Sequence, residues 1–199
     1  MVGLSLAIGS VLGMVIGLTL YTTRAGGLWA NRGVYVVVNF VVNFFRPIPF
    51  VIFIGAVQPL ARAVTGSGIG NRAIIFGLSL AASFFISRVV EQNLFAVDPG
   101  VLEASRAMGA SRLRTVVAVL IPEALGPLVL GLTFAFVAVV DASAIAGVIG
   151  GGGLGKFSLT YGFHQFDTIV TWTTVLIIVA LVQLGQLLGN LVARRLMRR

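Results

Sequence analysis

Five stretches of this chain are as long and as apolar as the hydrocarbon of a bilayer demands, and little is left over to face water. A helix needs about 20 residues of low polarity to cross the membrane core, and residues 1–23, 47–64, 72–92, 116–140 and 168–193 each approach that length. Only 10% of the 199 residues are charged while 58% are hydrophobic, too little polar cover for a soluble core of this size. The chain therefore reads as an all-α polytopic membrane protein with about five spans. It is one domain, residues 1–199, because neither an internal repeat nor a Ser/Pro-rich linker divides it. Residues 1–23 have no charged start and no small-residue cleavage site, so they read as a retained span and not as a signal peptide.

A formal charge of +8 would suggest nucleic acid in a soluble protein. Here the basic residues bracket the apolar runs instead of forming one stripe, so membrane topology explains them and no nucleic-acid partner is expected. With the loop around Glu103 in the cytosol, that side collects Arg24, Arg32, Arg46, Arg88, Arg106, Arg112, Arg114, Arg194, Arg195, Arg198 and Arg199, against Arg62, Arg72 and Lys156 outside. That bias puts the N-terminus outside and the C-terminus in the cytosol. The chain has no cysteine, which excludes disulfides and thiolate metal sites.

Two helical stripes stand out. Gly9, Gly13 and Gly17 recur at spacing four and permit close approach of another helix. Arg32, Tyr35, Asn39, Asn43 and Arg46 line one face of a helix whose other faces are Val and Phe, and the Arg46-Pro47-Ile48-Pro49 corner divides that helix from the second span. The expectation is an interfacial or protein-packed helix, with Arg46, Pro47 and Pro49 as structural residues and the Arg46 guanidinium at the cytosolic interface or on backbone carbonyls.

The charged segment between spans three and four, about residues 98–115, carries the functional argument. Asp98-Pro99-Gly100 can cap and start a short helix, Gly109 permits a sharp turn, and Ser111 can cap a second helix running to Pro122. Two short helices at an angle make a knob. Ala104, Ala107 and Met108 give it a small apolar face, and Glu103, Arg106, Arg112 and Arg114 a charged rim suited to a groove on another protein. A plain connection would need neither a mid-loop glycine nor two caps.

The order Glu103-Ala104-Ser105, three residues, Gly109, nine residues, then Val119-Leu120-Ile121-Pro122 resembles the EAA loop of permease subunits of bacterial ABC importers. Ser105 stands where that loop has its second Ala, and Val119 and Ile121 where Ile and Leu are usual. VNFFRPIPF, EASRAMGAS, LIPEAL, GGGGLG and TYGF resemble, in order and spacing, the permease of methionine ABC importers. The resemblance implies the type I importer fold in the bacterial inner membrane. It also implies a homodimer with two cytoplasmic ATPase subunits and an external substrate-binding lipoprotein. Members of that family carry somewhat more residues before the first span, so this chain reads as shortened there. Glu103, Ala104, Ser105, Arg106, Ala107, Met108, Gly109, Ala110 and Ser111 become the coupling loop that sits in a cleft of the ATPase. The resemblance also implies an external gate near the end of span four, where Ala144, Ile145 and Val148 could close across a two-fold axis. The substrate it implies is methionine, with another amino acid or a small polar solute as the alternative.

Other chemistry is thin. Gly150, Gly155 and Lys156 satisfy G-x-x-x-x-G-K, but Phe157 stands where Ser or Thr must hold magnesium, so no nucleotide site is expected and ATP hydrolysis belongs to a partner. His164 has no companion at metal-ligand spacing, and neither a metal nor another cofactor is expected. Asp141 follows 17 uncharged residues, 124–140. It either lines the path and meets the substrate's ammonium group or lies near the external end of span four, hydrated or paired with Lys156. An ion-coupled carrier would use Asp141 and Arg46 as coupling charges, but it should show two matching halves, which five unequal spans do not supply.

Overall fold

The structure, a computed structural model, describes residues 1–197 and every side chain among them except that of Val148. Arg198 and Arg199 of the basic C-terminus lie outside the described residues. The helices are α1 (Val2–Thr23), α2 (Arg32–Phe45), α3 (Phe50–Ala56), α4 (Gln58–Thr65), α5 (Asn71–Phe95), α6 (Pro99–Ala107), α7 (Arg112–Thr115), α8 (Ile121–Val148), α9 (Leu154–Phe157) and α10 (Thr168–Met197). Two π-helical turns, Val116–Leu120 and Ser158–Phe163, join α7 to α8 and extend α9.

Four units are long and apolar enough to cross a membrane: α1, α5, the continuous run Arg112–Gly147, and α10. The fifth crossing differs from the expected uninterrupted span over residues 47–64. There, α3 and α4 part at Val57, whose φ −87° and ψ 0° depart from the ideal α-helical values. Pro59, in the first turn of α4, has no N–H to continue the ladder. The crossing is a composite, with α2 and α3 meeting at 115° over the Arg46–Pro49 corner.

α5 is the centre of the bundle, and α1 lies against it along the glycine stripe. A Cβ on Gly13 would stand 2.7 Å from the Ile86 Cβ, and one on Gly9 2.7 Å from the Ala82 Cβ. Glycines set against Ala82, Ile86 and Val90 let the two backbones come close, which is how helices gain contact where apolar surface alone has no preference for helix over lipid. The stripe is a packing device.

α2 starts beside the end of α1, where the Asn31 N–H donates to the Thr23 carbonyl at 2.9 Å and its side chain caps Val34 N at 3.1 Å. It then climbs antiparallel to α5 until the Phe45 ring stacks on Phe84 with centroids 5.2 Å apart. Of its 14 residues Val42 alone is buried, and the helix rises to the middle of α5.

Span four also starts earlier than expected. The helix capped by Ser111 does not stop at Pro122. It runs on into α8, because the π-turn just before Pro122 moves the hydrogen bonds out of the register that would need the missing proline N–H.

Candidate coupling knob and membrane path

Each turn of the knob is set by its own residues. Asp98 accepts from Gly100 N at 2.8 Å to start α6. Gly109 sits at φ +84°, the left-handed region where a Cβ is disfavoured. Ser111 accepts from Arg114 N at 3.3 Å to start α7. Ser105 is buried between the two helices, its hydroxyl 3.5 Å from that of Thr115, while its carbonyl receives Ala110 N at 3.2 Å. The rest of the loop faces outward: Glu103, Ala104, Arg106, Ala107, Ser111, Arg112 and Arg114 are exposed, and Met108 is 83% exposed. The expected apolar face exists and is larger than expected, because Leu113 adds to it at 64% exposure. Charge at Arg112 and Arg114 on either side drew attention away from Leu113.

The root of the knob is tied to the bundle. The Arg24 guanidinium lies 4.3 Å from the Tyr21 ring centre and 3.9 Å from that of Phe95, so one cation–π sandwich joins the end of α1 to the end of α5. Pro99, Leu102, Glu103 and Arg106 of α6 line the hollow beside it.

Higher up, Arg88 of α5 donates to Glu91 on its own helix and to Asn39 and, at 2.8 Å, Asn43 of α2. Sequence reasoning took Arg88 for a topology marker and passed over Glu91, which is 5% exposed. Asn39 and Asn43 of the polar stripe are the partners that satisfy this ion pair. Arg46 is set apart from them. It lines a cavity of about 180 Å³ with Phe45, Phe53, Leu78, Phe85 and Ala142 among others. Leu78 and Phe85 belong to the middle of the 25-residue α5, so Arg46 stands at mid-bundle depth and not at the end where an interfacial residue would be.

On α8, Leu130, Phe134, Ala138, Asp141 and Ile145 are exposed at helical spacing, a stripe the other described residues leave largely open, with the Phe85 ring 5.9 Å from that of Phe134. Ile145 is 37% exposed on it, one turn from Asp141. Ala144 does not join them. Its backbone packs under Gly155, where a Cβ would overlap the Ala144 carbonyl, and it lines a separate cavity with Phe136, Val140 and Ile178. The side chain of Val148 lies outside the described residues. Among the described residues the one ion pair is Arg88–Glu91, so the expected alternative of an Asp141–Lys156 pair is not formed.

The glycine run folds back on the end of α8, with Gly150 at φ +115° and Gly153 at φ +92°. It follows a membrane helix, and no strand precedes it as a nucleotide-binding loop requires. His164 is exposed at the end of the second π-turn, and no three metal-ligating side chains come together among the described residues.

The described residues form a helical membrane bundle with a capped, exposed knob at one end. Residues 6–199 match the family described as binding-protein-dependent transport system inner membrane component, and the chain belongs to that family. It is a multi-pass inner-membrane protein. Among similar proteins, the Vibrio cholerae protein named "Probable D-methionine transport system permease protein MetI" is 37% identical over 195 residues, 98% of this chain and 87% of that one. The Bacillus subtilis methionine import system permease protein MetP is 36% identical over 173 residues, covering 87% and 78% of the two chains. A chain of the MetNI methionine ABC transporter, solved in inward-facing conformations, superposes with a TM-score of 0.92 at 40% identity over 96% of this chain and 89% of that one.

Proposed function

We propose that this chain is the membrane permease of an ATP-driven methionine importer and works as a homodimer on two cytoplasmic ATPase subunits, with a binding lipoprotein delivering substrate from outside. The observation that carries this reading is the knob, capped, exposed and joined without a break to span four through the π-turn. Closure of an ATPase cleft around residues 103–111 would therefore be transmitted directly to α8. The likeness to MetI, MetP and MetNI supports methionine as the substrate. The arginine distribution supports a cytosolic knob and C-terminus with the N-terminus outside. The chain itself hydrolyses nothing.

On this reading Met108 and Leu113 enter the ATPase cleft and the charged rim sets their register. Ile145 closes the external gate against its symmetry mate, with Asp141 one turn below it. Val148 is assigned to that gate by its position in the sequence, three residues after Ile145. A test is a single cysteine at position 108 in this cysteine-free chain. It should crosslink to the co-expressed ATPase in assembled complexes and do so at different rates with and without ATP. An equally well-assembled complex in which position 108 never reaches the ATPase would remove the coupling assignment.

A further inference from the structure

Two ionisable side chains stand at mid-bundle depth with no ion-pair partner among the described residues. Arg88 shows what a settled charge looks like here, with a carboxylate and two amide oxygens around its guanidinium. Arg46, one helical turn beyond Asn43 on α2, is exposed, and no ion pair holds it. Asp141 of α8 is likewise exposed and unpaired among the described residues. Leaving either against lipid is costly, so each must face a water-filled path, a ligand or the second protomer.

Arg46 lines a cleft, and Asp141 flanks that cleft's α8 wall. The cavity that Arg46 lines is walled by Phe45, Phe50, Phe53, Leu78 and Phe85, and its α8 side is Ala138, Val139 and Ala142. Asp141 is the residue before Ala142. At about 100° per residue it lies roughly 60° round the helix from Ala138, on the exposed edge of that wall. The cavity measures about 180 Å³, smaller than the roughly 300 Å³ at which drug-sized sites begin, so it suits a small solute. A cation on one bank, an anion on the other and an aromatic pocket between them match the zwitterion of an amino acid with an apolar side chain. A guanidinium takes a carboxylate through two parallel hydrogen bonds, a carboxylate takes an ammonium, and aromatic rings receive a thioether well.

We propose that Arg46 and Asp141 are the two poles of a binding site for the amino-acid zwitterion within the membrane. Arg46 holds the carboxylate, Asp141 the ammonium group, and the phenylalanine-lined cleft the apolar side chain. The site rests on the importer reading above and adds a selective station between the external gate and the cytosol. It makes the permease itself discriminate against solutes that lack either charge.

The test uses the complete complex with its ATPase and an Ala138→Cys permease, whose single thiol lies on the cleft wall. Methionine should slow maleimide labelling of that thiol at least tenfold. The amide of methionine, which lacks the carboxylate, and the desamino acid, which lacks the ammonium, should leave it unprotected. Arg46→Gln and Asp141→Asn should each abolish protection by methionine in complexes that still assemble. A thiol that labels at the same rate with and without methionine overturns the site, as does one that never labels, since the cleft would then not be wet. Equal protection by methionine and both analogues overturns the two poles. ATP-driven methionine uptake by the parent complex in proteoliposomes is measured beside it. Uptake without protection removes this site and leaves the importer; no uptake by the parent removes the importer reading itself.

Discussion

Replacing Arg88 by Met keeps the length of the side chain and removes its charge, and the structure says which of the resulting losses dominates. The Arg88 and Glu91 side chains are 13% and 7% exposed, so the substitution leaves a carboxylate buried without its cation, a change that costs about 3–5 kcal/mol when one partner of a buried pair is removed. The hydrogen bonds to Asn39 and Asn43 are worth far less, on the order of 0.6 kcal/mol each between helices in a membrane. Arg88→Met should therefore destabilise by several kcal/mol. Adding Glu91→Gln should recover most of that, leaving a deficit of about 1 kcal/mol for the two amide contacts. Reversible unfolding of the purified protein in mixed detergent and SDS micelles gives the two differences, and the coupling between the sites follows from the cycle. If Arg88→Met is as stable as the parent, or if Glu91→Gln adds to its loss instead of relieving it, the clamp between α2 and α5 is not what holds the composite crossing in place.

Gly13→Leu should prevent α1 from seating on α5 and leave little folded protein, because a Cβ alone would already meet that of Ile86 at 2.7 Å; gel filtration after detergent extraction reads this. Asp167→Ala should cost about 1 kcal/mol, since its carboxylate caps α10 by accepting from Ile169 N and Val170 N at 2.9 and 3.1 Å; the same SDS titration measures it. Arg24→Ala should lower uptake more than ATPase rate by loosening the joint between α1, α5 and α6, whereas equal losses in both would make the sandwich a simple stability element. Ile145→Cys should crosslink across the dimer axis in the inward-facing state and lose that crosslink when ATP closes the other side. Absence of the crosslink in both states of a verified dimer would take Ile145 out of the gate.

What could be read from the sequence was what depends on neighbours along the chain. Asp98, Gly109 and Ser111 act within three residues of themselves, so the caps and the turn of the knob were visible before any coordinates. The long apolar runs gave α1, α5, span four and α10 for the same reason. The second span failed because hydropathy measures length and not continuity: residues 47–64 are apolar enough, yet Val57 and Pro59 break them. Pro122 misled in the opposite sense, since a π-turn lets a helix continue past a proline that reads as a stop. The polar stripe on α2 announced a face but not a depth, and so Arg46 was expected at the cytosolic interface or on backbone carbonyls, whereas it lines a cavity beside the middle of α5. Arg88 could not be recognised as the centre of a clamp because its two asparagine partners are 45 and 49 residues away, and no local spacing records such a contact. Ala144 was expected beside Ile145 in a gate implied by resemblance, although 100° of helix rotation sends it toward α9 and α10.

The claim on which the rest depends is that the knob at residues 103–111 carries the movement of an ATPase into the membrane. Gly109 is its hinge at φ +84°, where a side chain costs about 1–2 kcal/mol and turns the two short helices away from their mutual angle. The most direct measurement is ATP-dependent methionine uptake by proteoliposomes containing the Gly109→Leu permease assembled with its ATPase, compared with the parent at equal membrane insertion. Uptake should be abolished while the span helices remain inserted and dimeric. Uptake at the parent's rate would mean that the angle of the knob is immaterial and that it is only a loop between two spans.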